Sequence, residues 1–362
     1  MRVHIRPQWS ISPGGNGSGE DLAGLDIASL LALLAAVQET GAIAQAARSL
    51  GVSYRHAWGQ VKAAEALFGH PLIDAGRGRG STLSPLAEKL IWAQRRVQAR
   101  LTPLLDSLAS ELETEIERSL PRAPQPLRLH ASHGFAVAAL VEQLEAVPQS
   151  VELRYRHSIE AVAALSRGEC DLAGFHVPIG DFEARAAQRY RAWLRDEEHR
   201  LVHLAVRWQG LFVAPGNPKR VRGVEDLGRE DLRFVNRPQG SGTRMLTELL
   251  IDKHGLTPAA LRGWESTEFT HAAVAAFIAS GMADVGLGVQ TAAQRFGLTF
   301  LPLLRERYFF AVRAEALEQP AMRSLLALLG SPAYRATVAA MAGYEAAETG
   351  RVLRVDEAFG GR

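Results

Sequence analysis

Cysteine is all but missing from this chain of 362 residues: Cys170 is the only one, which excludes an internal disulfide and a cysteine-based metal centre. Placed before DLAG, it reads as a small buried hydrophobe. A dominant charge is missing too. Lys and Arg total 41 against 39 Asp and Glu, a net charge of +2, so no global field draws nucleic acid and any such partner must be argued from local pattern. No apolar run reaches the ~18 residues that span a bilayer, and the polar N-terminus has no leader pattern. A cytoplasmic protein without a membrane partner is expected. Catalytic signatures are also missing: there is no GxSxG, no Walker sequence, no paired carboxylates in a recognisable setting and no HxH or HExxH spacing. The expectation is a non-enzyme with no metal site and no cofactor required for catalysis.

What is present begins with residues 41–84. Ile43–Leu50 reads as a short helix punctuated by Gly51, and a second helix follows from Tyr54 to about Phe68. Gly51 suits a helix end that needs a positive φ, and Ser53 is a good N-cap. An Arg/Gly hairpin then returns the chain to a third helical run near Ser84. This is the layout of a winged helix-turn-helix, whose second helix enters the DNA major groove. Ala42, Ala46 and Ala47 are small enough for close packing of the two helices. Ser53, Tyr54, Arg55 and His56 open the recognition helix toward bases and phosphates, with Lys62 farther along it. Val61, Ala64 and Leu67 fall on the opposite, buried face, and Trp58 reads as core. Arg77 and Arg79, each flanked by glycine, suit backbone or minor-groove contact. Charge adds little, since Ser53 to Thr82 holds four Arg or Lys against Glu65 and Asp74.

SYRHAW opening the recognition helix, GxxxxAA in the helix before it and the Gly-rich wing resemble the N-terminal domain of ModE-type molybdate regulators, and more distantly the LysR family. The likeness covers roughly residues 1–118. It implies a short strand, RVHIRPQWSIS, ahead of the first helix.

Two stretches divide the chain: PGGNGSG at 13–19 and PRAPQP at 121–126 read as a flexible loop and a hinge. Between them Leu86, Leu90, Val97, Leu101, Leu104, Leu105, Leu108 and Leu112 recur at three- and four-residue spacing. A helix of about 34 residues with one apolar stripe needs a partner, so pairing with its copy in a homodimer or higher homo-oligomer is expected. Pro103 is expected to kink or interrupt it. The domain reading is 1–84 for the winged helix-turn-helix, 85–120 for a linker and dimerisation helix, and 127–350 for a ligand-sensing domain.

From Leu127 short apolar runs alternate with helical ones. LRLHAS, VELRYR, DLAGFHV, GLFVAPG, LRFVN and ADVGLG read as strands, which implies parallel sheets with ligands at the strand carboxyl ends. The region resembles the type 2 periplasmic-binding-protein fold used as a sensor in LysR-type regulators, and the binding-protein-like domain joined to ModE-type readers or molybdopterin-biosynthesis proteins. The fold class is then α/β, with an N-terminal winged helix-turn-helix and a two-lobed binding-protein-like C-terminal domain. LVHLAVRWQGLFVAPGNP would cross into the second lobe and LTFLPLLRERYFFAVR return.

The sharpest site signal is NRPQGSGTRMLTELL at 236–250. Gly240 and Gly242 admit a ligand to the backbone, Ser241 and Thr243 add hydroxyls, and a helix N-terminus adds positive partial charge. Arg237 and Arg244 can fork onto an oxyanion. Ser132 and His133 after the first strand, His176 ending the third, and Thr270 and His271 at a helix start are further ligand candidates, with Tyr308 closing over them. Asp284 reads as orienting backbone. Together these residues predict a DNA-binding regulator that recognises a double-stranded operator and senses a small anionic ligand. The resemblance implies molybdate, tungstate or the molybdenum cofactor, although the small barrel in which ModE regulators bind oxyanion has no counterpart here. Two other readings stay open: a LysR-like sensor of an organic carboxylate, and a molybdenum-cofactor carrier that does not bind DNA.

Overall fold

The computed structural model describes residues 3–7, 26–76, 80–119, 126–144 and 151–359. The chain forms two compact units, one of residues 6–98 and the other of residues 1–5 with 99–362.

In the smaller unit, α1 (Ile27–Thr40) starts at Asp26, whose carboxylate accepts from the Ser29 amide. Helices α2 (Ile43–Ser49) and α3 (Tyr54–Phe68) follow, then the antiparallel pair β1 (Ile73–Gly76) and β2 (Gly80–Leu83). Gly51 adopts a φ of 69° between α2 and α3, a conformation that a β-carbon would disfavour. Ala46, Ala47, Ala57, Val61 and Ala64 are buried where the helices cross. Glu65 ties α3 to the hairpin by accepting from the Leu72 amide at 2.9 Å. The strand expected in the opening segment does not form over residues 3–7, where the Val3 amide donates to Glu113; its remainder falls outside the described residues.

Helix α4 (Pro85–Arg118) runs 34 residues without interruption, through Pro103. Proline has no amide, so the Ala99 carbonyl loses its helical donor; the Thr270 hydroxyl supplies one at 3.2 Å. This compensation is why the expected break is absent. The second half of α4 lies along β4 (Val151–Tyr155), where Ser110 accepts from the Leu153 amide at 2.7 Å and Ser107 from the Tyr155 amide at 3.0 Å. Two serines thus cap the free edge of the sheet. Val97, Leu104, Leu108 and Leu112 remain exposed.

The larger unit is built on a nine-stranded sheet of order β4-β3-β5-β9-β6-β8-β7, with two short strands added to β6. One lobe contains β3 (Leu127–Ala131), α5 (Phe135–Leu144), β4, α6 (Ser158–Ser166) and β5 (Leu172–Pro178). The other contains β7 (Phe234–Val235), α8 (Gly242–Lys253), α9 (His271–Ala279) and β8 (Val285–Val289). Strands β6 (His199–Val213) and β9 (Thr299–Arg313) are 15 residues each and pass through both lobes. Pairing is parallel inside each lobe but antiparallel at β5/β9, β9/β6 and β6/β8. The expectation of parallel sheets therefore fails along the crossovers, because two strands of opposite direction connect the lobes.

The lobes repeat one device. Asp171 accepts from the Arg128 amide and Asp284 from the Arg233 amide, each at 2.8 Å. Each carboxylate also pairs with the guanidinium of the same arginine. Both fix the start of a parallel strand pair, so that the strand ends and the following helix N-termini line up at one level.

Candidate functional site

Two places carry chemistry. In the smaller unit the Ser53 hydroxyl caps α3 by accepting from the His56 amide at 3.1 Å. Ser53, Tyr54, Arg55 and His56 are all exposed, while Ala57, Val61 and Ala64 turn into the core. Leu67 is half-buried. Trp58 is half-buried against that core and stacks on Tyr54, with ring centroids 6.3 Å apart. Lys62 lies 4.9 Å over the Trp58 ring and pairs with Glu65 at 2.7 Å. One face of α3 thus presents a hydroxyl, a phenol, an imidazole and two cations to solvent. Arg77 and Arg79 lie outside the described residues.

The second place is inside the larger unit, where the two crossover strands pass the ends of β3 and β5 and the starts of four helices. Arg207 and Glu306 face each other in register on β6 and β9, and Nε donates to the carboxylate at 2.7 Å. Gln209, two residues along the same face of β6, donates to Glu306 at 2.9 Å and to the Thr243 hydroxyl at 3.2 Å. Arg237 donates from one terminal nitrogen to the Phe269 carbonyl at 2.6 Å and places the other 3.3 Å from His271 Nδ1. His176 Nδ1 is 3.4 Å from the Ser158 hydroxyl, and its ring packs 4.0 Å from that of Tyr308. The Tyr308 hydroxyl donates to the Ser132 carbonyl at 3.4 Å.

Close approach is possible because two strand positions, Gly174 and Gly288, have no side chain. A β-carbon on Gly174 would lie 2.5 Å from the Tyr308 hydroxyl, and one on Gly288 3.0 Å from His271 Nδ1. Gly240 adopts a φ of 87° beside His157 and so permits the turn into α8. The N-termini of α5, α6, α8 and α9 therefore converge, each with backbone amides that lack a helical partner.

Electrostatics distinguish this cluster from an ordinary core. Two guanidinium groups face one carboxylate, leaving one positive charge uncompensated. Arg207 is opposed by burial, yet Glu306 and Tyr344 outweigh it and raise its pKa. Arg237 has no carboxylate partner among the described residues, and burial followed by Arg207 pushes its pKa down to about 9. The guanidinium stays charged at neutral pH but is poorly compensated. Burial first, and then Arg237, lowers His133 to about 4. Burial with both arginines holds His176 and His271 well below the usual imidazole value. Three neutral imidazoles thus surround an under-neutralised cation. Arg237 Nε, Ser132 Oγ, His176 Nε2 and Gln209 Oε1 are buried with no hydrogen-bond partner among the described residues.

Of the residues singled out by sequence, Ser132, His133, His176, Arg237, Gly242, Thr243, His271 and Tyr308 come together here. Gly240 and Ser241 build the turn, and Ser241 caps α8 by accepting from the Arg244 amide at 3.0 Å. Arg244 departs from expectation. Its guanidinium lies 4.0 Å over the Trp264 ring and pairs with Glu248 at 3.1 Å, so its charge is already neutralised outside the cluster. Thr270 also departs: its hydroxyl caps α9 and donates to α4. Asp284 orients backbone through the Arg233 amide. Arg207, Gln209, Glu306 and Ser158 were missed. A charged and an amide residue two apart in the apolar run LAVRWQGLF was the available signal, since period two places both on one face of a strand.

A PBP superfamily domain model matches residues 141–330. A second model, described as a bacterial regulatory helix-turn-helix protein of the lysR family, matches residues 28–88. The chain is 30% identical over 246 residues to the uncharacterized protein YvgK of Bacillus subtilis (strain 168), covering 68% of this chain and 79% of that one. It is 32% identical over 146 residues to the molybdenum-pterin-binding protein MopB of Rhodobacter capsulatus, covering 38% of this chain and 52% of MopB. A Corynebacterium glutamicum OxyR C206 mutant aligns in structure with a TM-score of 0.44 and 16% identity, over 87% of this chain and 93% of that one. With more than half its length matched by the PBP model, the chain belongs to the PBP superfamily, and its residues 28–88 form a helix-turn-helix of the lysR-family type.

Proposed function

We propose that the cluster around Arg237 is the effector site, that its effector is a small oxyanion or an oxyanion-bearing molecule, and that α3 reads an operator. The observation that carries this reading is the set of buried, unpartnered polar atoms beside an uncompensated cation. Leaving such atoms unpaired costs free energy, and an anion with several acceptor oxygens would satisfy Arg237, Ser132 and neutral imidazoles together. The four helix N-termini favour the same charge.

The likeness to a molybdenum-pterin-binding protein, over about half of that protein's length, supports molybdate, tungstate or the molybdenum cofactor over an organic carboxylate. The helix-turn-helix of the lysR-family type over residues 28–88 supports DNA binding. The exposed leucines of α4 support a homodimer in which two α3 helices meet half-sites about one DNA turn apart.

Calorimetry with sodium molybdate and sodium tungstate tests the site, and Arg237→Gln should abolish the binding seen in the wild type. No binding of either anion by the wild type would remove the oxyanion reading. Arg55→Ala should weaken binding to a selected operator by about 1–3 kcal/mol. Unchanged affinity would remove α3 from the interface.

A further inference from the structure

Residues 268–271 connect two parts of the larger unit that have no other reason to share a segment. Glu268 and Thr270 point to α4. Arg100 Nε donates to both oxygens of the buried Glu268 carboxylate at 2.9 Å, and Thr270 donates to the Ala99 carbonyl that Pro103 leaves without a donor. The Phe269 carbonyl and the His271 ring meet the site instead: the carbonyl accepts from Arg237 at 2.6 Å, and His271 Nδ1 lies 3.3 Å from the same guanidinium. Thr270 is extended, at φ −123° and ψ 159°, which lets the side chains of Glu268 and Thr270, two apart, reach the same helix.

We propose that residues 268–271 are a relay that couples occupancy of the Arg237 site to the attachment of α4, the helix that starts at Pro85 beside the DNA-reading elements. This rests on the cluster being the effector site. The attachment of α4 is asymmetric. On the first lobe Ser107 and Ser110 bind the backbone of β4, and Glu111 pairs with Arg154 at 3.1 Å. On the second lobe the hydrogen-bonded links run to Glu268 and Thr270, joined by the Arg100 guanidinium 5.8 Å from the Phe277 ring of α9. An anion taken up by Arg237 shifts the donors that hold Phe269 and His271, and the two intervening side chains carry that shift to Ala99 and Arg100. Coupling of this kind is reciprocal, so a change at α4 must be felt at the cluster.

Hydrogen exchange of the full chain, followed by mass spectrometry, tests the relay without a ligand. Arg237→Met should speed exchange of α4 amides at residues 99–108 by about 5-fold or more, and Arg100→Met should do the same at residues 236–245. Arg100 is half exposed, at 50% of its side chain, so its variant should fold even if the buried substitution does not. Arg154→Met, which removes the Glu111 ion pair of the other anchor, should leave residues 236–245 unchanged. Wild-type exchange at 236–245 in Arg100→Met would overturn the relay, as would wild-type exchange at 99–108 in a folded Arg237→Met. Saturation with sodium tungstate separates the two ideas. If tungstate binds and α4 exchange does not move, the relay fails alone; if it does not bind but the variants still communicate, the effector reading fails alone.

Discussion

Arg237→Met should make the ligand-free protein more stable while removing its response to anions. The folded state lowers the Arg237 pKa from its ordinary guanidinium value to about 9; at about 1.4 kcal/mol per pKa unit, the buried charge costs about 5 kcal/mol. Removing it also removes the donor to the Phe269 carbonyl, which costs about 1–3 kcal/mol if that carbonyl stays dry. The net expectation is a gain on the order of 2–4 kcal/mol, within the range measured when buried charges give way to apolar side chains. For a unit of this size it corresponds to a rise in Tm of roughly 5–10 °C. Scanning calorimetry at pH 7, with and without millimolar tungstate, is the assay. The wild type should melt lower than the variant without anion and shift upward with it, while the variant should not shift. A variant that melts below the wild type in the absence of anion would show that Arg237 is satisfied by its internal bonds, and the case for an anion site would fall with it.

Three further outcomes are expected. His130, His133 and His203 are held near 4, in each case first by burial. Below an unfolded-state value of 6.5 the unfolded chain therefore takes up protons that the native state refuses, and stability present above pH 6.5 is lost progressively toward pH 4. At pH 5.5 each histidine should cost about 1.4 kcal/mol, and a urea midpoint that stays level between pH 7 and 5 would contradict this. Glu306→Gln leaves the Arg207 guanidinium buried without a counter-charge and should cost about 3–5 kcal/mol by chemical denaturation; a loss below 1 kcal/mol would mean that Tyr344 and water suffice. If the exposed stripe of α4 is the dimer seam, Leu104→Glu with Leu108→Glu should shift sedimentation at micromolar concentration from dimer to monomer, and an unchanged dimer would place the seam elsewhere.

The parts legible in the sequence were those whose causes are local. Ser53 and Gly51 mark the boundaries of α3 by capping and backbone conformation, which operate within three or four residues. The turn at Gly240–Gly242 is legible for the same reason. The leucine period in α4 identified a helix and an apolar stripe. It did not identify which face the protein covers itself, because that is decided by Ser107 and Ser110, polar residues that complete a strand edge more than 40 residues away.

The misses share a different cause. Arg207 and Glu306 are 99 residues apart and become a pair only when two 15-residue strands adopt their antiparallel register; nothing local to either residue announces the other. Arg237 and Arg244 were indistinguishable as two arginines flanking one turn. Arg237 precedes the helix and turns inward, whereas Arg244 is three residues past the cap. Each helical residue rotates the side-chain direction by about 100°, so Thr243 meets Gln209 while Arg244 swings onto Trp264. Thr270 is the sharpest case. Its place at a helix start was readable, but its hydroxyl answers a vacancy created by Pro103 in a helix 171 residues away. The proline looked like a break and the threonine like a ligand contact; together they form a joint, because the missing helical donor is what gives the hydroxyl something to bind.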